Sequence, residues 1–73
     1  MNIKIGDKFY YIICDFEGKS MDEVIVKEVH EDHFLCSYTD AKMSGVTLWF
    51  EEEDINVRIY SSKEKASAAL YNN

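Results

Sequence analysis

The chain has 73 residues, enough for one small domain that buries only about 60% of the surface its unfolded form exposes. At 47% hydrophobic, with five tyrosines, four phenylalanines and one tryptophan, it is too apolar to be disordered and can still build a core. Its net charge of −6 repels a phosphate backbone, which disfavours direct nucleic-acid binding, and no run approaches the ~20 apolar residues of a membrane span.

In chain order, "MNIKIGDKF" lacks the apolar segment and cleavage pattern of a signal peptide, so cytoplasmic residence is the expectation. Gly6-Asp7 marks a turn, and the aromatic and β-branched run after it predicts a first strand from about Lys8 to Cys14. "DFEGKSMD" reads as a polar loop around Gly18, and "EVIVKEVH" as a second strand, about Glu23 to His30. Val24 and Val26 alternate but Val29 breaks the period, which predicts a bulge or sharp bend of the kind that lets a small sheet curl. Glu31 and Asp32 form the tip of a tight hairpin leading into a third strand, "HFLCSY".

"TDAKMSG" is a loop and "VTLWF" a fourth strand. Four consecutive carboxylates follow, Glu51, Glu52, Glu53 and Asp54; the reading that fits them best is a single 3₁₀ turn capped by Asp54, with the three glutamates solvated. "INVRIY" is the fifth strand, with Ile55, Val57 and Ile59 on one face. In the tail, Ser61 and Glu64 have capping-box spacing, and Ala66, Ala69 and Leu70 form one stripe. The tail therefore predicts a docked helix over about residues 62–71, ending at Asn72–Asn73. Proline is absent and no repeat occurs, so the whole chain reads as one mainly β domain: a closed or half-closed five-stranded barrel over about residues 5–60, plus the C-terminal helix. Cys14 and Cys36 lie in apolar strand-like runs without CxxC spacing and read as buried, reduced thiols.

The positions Gly6, Asp7, Phe50, Asp54, Ile55, Tyr60, Ser61, Glu64, Ala66, Ala69 and Leu70 resemble a pattern in small uncharacterised proteins of phages and Firmicute mobile elements. There an acidic turn, a strand and a Ser/Thr-x-x-Glu-x-Ala-x-x-Ala-Leu helix close an SH3-like barrel. The chain departs from the pattern at Lys65, where a second glutamate is usual. The resemblance implies a small five-stranded SH3-like barrel with one short C-terminal α-helix, and carries no catalytic motif. The "ALYDY" strand and paired tryptophans of peptide-binding SH3 domains are missing, so proline-rich recognition is not implied.

Side-chain chemistry narrows the functional classes. His30 and His33 flank the hairpin tip and, with Glu31 or Asp32, offer nitrogen and oxygen ligands. A closed zinc site wants four ligands and no cysteine lies near in sequence, so no metal and no cofactor is expected. The glycines are isolated, no nucleophile–base signature occurs, and a barrel this small leaves little room for a pocket of ~300 Å³. An enzyme is therefore not expected.

Acidity is uneven: residues 1–54 hold thirteen acids against five lysines, a charge of −8, whereas residues 55–73 carry +2. Glu51, Glu52, Glu53, Asp54, Glu31 and Asp32 are thus the candidate partner-binding carboxylates, with Tyr11 the candidate aromatic, since alternation turns either Tyr10 or Tyr11 outward. The expectation is a non-catalytic, acidic protein-binding module, phage or mobile-element encoded, that inhibits a basic nucleic-acid-binding host or defence protein. The alternatives are an accessory protein that self-associates and, against the charge, a nucleic-acid-binding barrel.

Overall fold

The computed structural model describes residues 2–71; the expected helix end at Asn72–Asn73 lies outside the described residues. Strands β1 (Lys8–Asp15), β2 (Gly18–Val29), β3 (Phe34–Tyr38), β4 (Thr47–Phe50) and β5 (Ile59–Tyr60) form one antiparallel sheet in the order β4-β3-β2-β1-β5. Helix α1 (Lys63–Tyr71) follows. The expected mainly β, five-stranded fold with one C-terminal helix is therefore present, as a single unclosed sheet with β4 and β5 at its edges.

The Gly6-Asp7 turn forms as read. Gly6 takes φ +97°, which glycine adopts without steric penalty, and the Asp7 carboxylate accepts the Lys4 N–H at 3.0 Å. The same turn is tied to β2, because Gly6 N–H donates to the Val26 carbonyl and Val26 N–H to the Asp7 carbonyl, both at 2.8 Å.

Strand β2 begins five residues earlier than expected, so the predicted loop around Gly18 contracts to a tight turn. Asp15 pairs with Gly18, the Asp15 carboxylate accepts the Glu17 N–H at 2.9 Å, and Gly18 takes φ +123°. Pairing of Ile12 with Met21 and of Tyr11 with Asp22 extends the ladder through residues whose polarity suggested a loop. The predicted irregularity in β2 is a register shift between Val26 and Glu28.

The fifth strand is the largest departure. Only Ile59–Tyr60 pairs with β1, and Ile55, Val57 and Ile59 do not share a face: Ile59 is buried, Ile55 packs against the core, and Val57 is 68% exposed. Asn56 sits in the left-handed region at φ 69° and donates its N–H to the Ile59 carbonyl at 2.7 Å, which folds "INVR" into a turn. Asparagine adopts that conformation more readily than most residues, an effect that alternation of apolar positions does not register.

The core consists of Phe9, Val24, Val26, Phe34, Cys36, Tyr38, Phe50 and Ile59, the inward positions of all five strands. Helix α1 packs against β1, β2 and β5, burying Ala66 fully and Ala69 and Leu70 partly, as the stripe predicted. Its cap is Ser62 rather than Ser61: the Ser62 hydroxyl accepts the Lys65 N–H at 3.2 Å, so the helix starts one residue later and Glu64 does not close a capping box with Ser61. Among the described residues no helix is long and apolar enough to cross a membrane.

The two cysteines part company. Cys36 is fully buried and desolvation pushes its thiol up to about 11, whereas Cys14 is exposed, against the expectation that both are buried. Cys14 falls on the alternate positions of β1, opposite in facing to Phe9 and Tyr11, and near the end of the β1–β2 hairpin. A thiol reagent at about pH 8 should accordingly label one cysteine in the native protein and both in denaturant; rapid labelling of both without denaturant would contradict this packing.

Candidate functional site

The site is assembled by pairing on both sides of β3. Phe34 is paired with Val29 on β2 and with Phe50 on β4, so the hairpin tip before Phe34 emerges beside the turn after Phe50. His30 N–H donates to the His33 carbonyl at 2.8 Å, leaving Glu31 and Asp32 at the tip as the sequence suggested. After β4, Glu52–Asp54 form the expected 3₁₀ turn. Glu31, Asp32, Glu51, Glu52 and Glu53 together line a shallow hollow of about 280 Å³. The four-acid run and the hairpin tip, separated by some twenty residues of chain, thus become one acidic face.

Asp54 does not join it. Its side chain turns inward, accepting the Glu51 N–H at 2.8 Å and pairing with Arg58 at 3.3 Å. That bond fixes the turn from which the three glutamates project. Tyr11 also lies elsewhere: its ring meets the Phe50 ring edge-on at 5.3 Å, under the Arg58 guanidinium, and is half-buried. Neither Tyr10 nor Tyr11 points freely outward, because Tyr10 is half-buried as well and donates its hydroxyl to Glu23 at 3.3 Å.

An aromatic ladder that the sequence did not reveal borders the acidic face. His30 stacks on His33 at 4.5 Å with planes 15° apart, and His33 stacks on Trp49 at 5.0 Å and 25°. Trp49 is 52% exposed. Each imidazole pairs with a carboxylate of its own hairpin: His30 with Glu28 at 3.1 Å and His33 with Asp32 at 2.7 Å. The hydrogen bond to His33, helped by the charges of His33 and His30, holds the Asp32 carboxyl below its ordinary range. Among the described residues, no three His, Cys, Asp or Glu side chains are grouped as a metal ion would need.

A second hollow, of about 390 Å³, opens where β1, β2 and the end of β3 meet the first turn of α1. Tyr10, Met21, Tyr38 and Met43 supply its apolar wall, and Asp22, Glu23, Asp40 and Lys63 its charge. It exceeds the space expected for a barrel of this size. The 3₁₀ turn Ala41–Met43 walls one side. No sequence motif marks it, since its residues come from four separate segments.

Compared with protein-family models, with curated proteins and with solved structures, the chain matches none. The reading of the site therefore rests on its geometry.

The Asp32–His33 pair has a definite pH dependence. A carboxylate held below its unfolded value of 3.8 contributes stability above that value and loses the contribution as pH falls through the lower folded value. Carboxyl ¹³C titration should therefore place Asp32 below 3.8, and His33→Ala should move its midpoint upward. An unchanged midpoint in that variant would separate the two residues.

Proposed function

We propose that the protein is a non-catalytic binding module that docks its acidic face on a basic surface of another protein. The observation that carries this reading is the gathering of Glu31, Asp32, Glu51, Glu52 and Glu53 from two turns into one hollow beside the half-exposed Trp49. Carboxylates concentrated on one face accelerate encounter with a basic cleft, because complementary fields steer diffusion. A large aromatic at the margin supplies the apolar anchor that charge alone lacks, and tryptophan is prominent among such anchors. Its stacking on His33 limits the ring entropy that binding would otherwise remove.

The charge of −8 over residues 1–54, on a chain that resembles phage and mobile-element proteins, favours a particular partner class. A basic, nucleic-acid-binding host or defence protein presents a phosphate-binding cleft, and five clustered carboxylates imitate phosphates in charge. Inhibition by occupying that cleft is the concrete form of this reading. The exposed flank of β4 favours one second reading, self-association, since among the described residues no strand pairs with its outer edge, and the strand carries the half-exposed Trp49.

Two measurements decide between them. Light scattering should return the monomer mass of 8.5 kDa, and a stable dimer would favour self-association. For the partner captured from a host lysate, Glu51→Lys, Glu52→Lys and Glu53→Lys combined should weaken binding on the order of tenfold or more while leaving the circular dichroism intact. Unchanged affinity in that folded variant would end the acidic-face reading.

A further inference from the structure

We infer that the larger hollow is a subsite for one cationic side chain, an alkylammonium or guanidinium, presented by the basic partner; this rests on the protein-binding reading above. Its chemistry is divided in the way such a side chain is divided. Tyr10, Met21, Tyr38 and Met43 offer aromatic and thioether surface, which suits the methylene stem of lysine or arginine. Asp22, Glu23 and Asp40 offer three carboxylates against the single cation Lys63, so the hollow carries an excess of negative charge. An anion is repelled there, and a neutral apolar ligand leaves the carboxylates without use.

Two of the carboxylates are already oriented. Glu23 accepts the Tyr10 hydroxyl at 3.3 Å, and Asp40 accepts the Lys42 N–H at 2.9 Å, which ties it to the start of its 3₁₀ turn. The two tyrosines add the cation–π attraction available to a ring that lines a partly desolvated site. Tyr38 is buried, and that burial, with Tyr11 and Asp22 adding to it, raises its phenol above the ordinary range, so the ring stays neutral. At about 390 Å³ the hollow lies within the ~300–1,000 Å³ range of ligand-holding pockets.

Lys63 has a specific place in this scheme. It stands at the first position of α1 and lines the same hollow, where it acts as the resident counter-charge. An incoming cation competes with it. The subsite is also distinct from the acidic face: Glu23 and Val29, which leads into the hairpin tip, are six residues apart along β2, on the order of 20 Å of strand. A partner that fills both touches the protein at two separated points.

The test uses three small probes: Nα-acetyl-lysine methylamide, Nα-acetyl-arginine methylamide and the neutral isostere Nα-acetyl-norleucine methylamide. Shifts of the Met21 and Met43 methyls and the Tyr10 ring are followed by NMR. A saturable shift with the lysine or arginine probe, absent with norleucine, is the expected result, and which of the two saturates first assigns ammonium or guanidinium. Glu23→Gln, which keeps a partner for the Tyr10 hydroxyl, should weaken the cationic probe roughly two- to fivefold. Lys63→Gln should tighten it by a similar factor. Equal binding of norleucine, no saturable shift with either cation, or no effect of both substitutions would overturn the assignment. Such a failure leaves the acidic face untouched, because that reading stands or falls on the Glu51–Glu53 reversals.

Discussion

Phe50 is the residue around which the sheet curls. It ends the edge strand β4, is fully buried, and lies 6.0 Å from the Phe34 ring on the neighbouring strand. Its ring also meets Tyr11 on β1 at 5.3 Å, although β3 and β2 separate those strands in the hydrogen-bond order. That contact exists only because the sheet curls, and the register shift in β2 supplies the bend. The Arg58 guanidinium sits 5.3 Å above the same ring while bonded to Asp54, joining the turn after β4 to the approach to β5. Side-chain packing thus bridges β4 and β1, which no hydrogen-bond ladder joins. In a chain this short the net stability is about 3–5 kcal/mol, and deletion of a buried phenylalanine ring costs about as much.

The same packing organises the surface. Phe34 and Phe50 are a buried cross-strand pair, and the acids lie immediately outside it in sequence, at Glu31–Asp32 and Glu51–Glu53. Five carboxylates on one face repel one another. The apolar pair beneath and the Asp54 bond to the Glu51 N–H hold them together nonetheless, and solvent exposure keeps the repulsion small. Charge kept in place by a core in this way is available to a partner at little reorganisation.

Much of this architecture was legible in local sequence. Glycine and aspartate at 6–7, the Val29 offset, the two-residue tip at Glu31–Asp32 and the Asp54-capped turn each depend on a few neighbouring residues, and each formed. What local pattern missed was set by pairing and by single conformational preferences. Residues Gly18 to Asp22 look like a loop until Tyr11 and Ile12 are placed opposite Asp22 and Met21. "INVRIY" alternates like a strand, but Asn56 turns the chain before it can run as one. The acidic face was only half visible: the acids stood out, but the His30–His33–Trp49 ladder requires knowing that Leu35 pairs with Trp49. Tyr11 and Asp54 looked like surface residues and proved to be the framework beneath the site.

The central claim is that packing around Phe50 sets two distant acidic turns side by side. Nuclear Overhauser spectroscopy on the aromatic protons tests it most directly. The account predicts cross-peaks between the rings of Tyr11 and Phe50 and between His33 and Trp49, whose centroids lie 5.3 and 5.0 Å apart. Their absence in a protein that keeps its β2–β3 ladder would mean that the sheet is not curled on Phe50 and that the acidic face does not form.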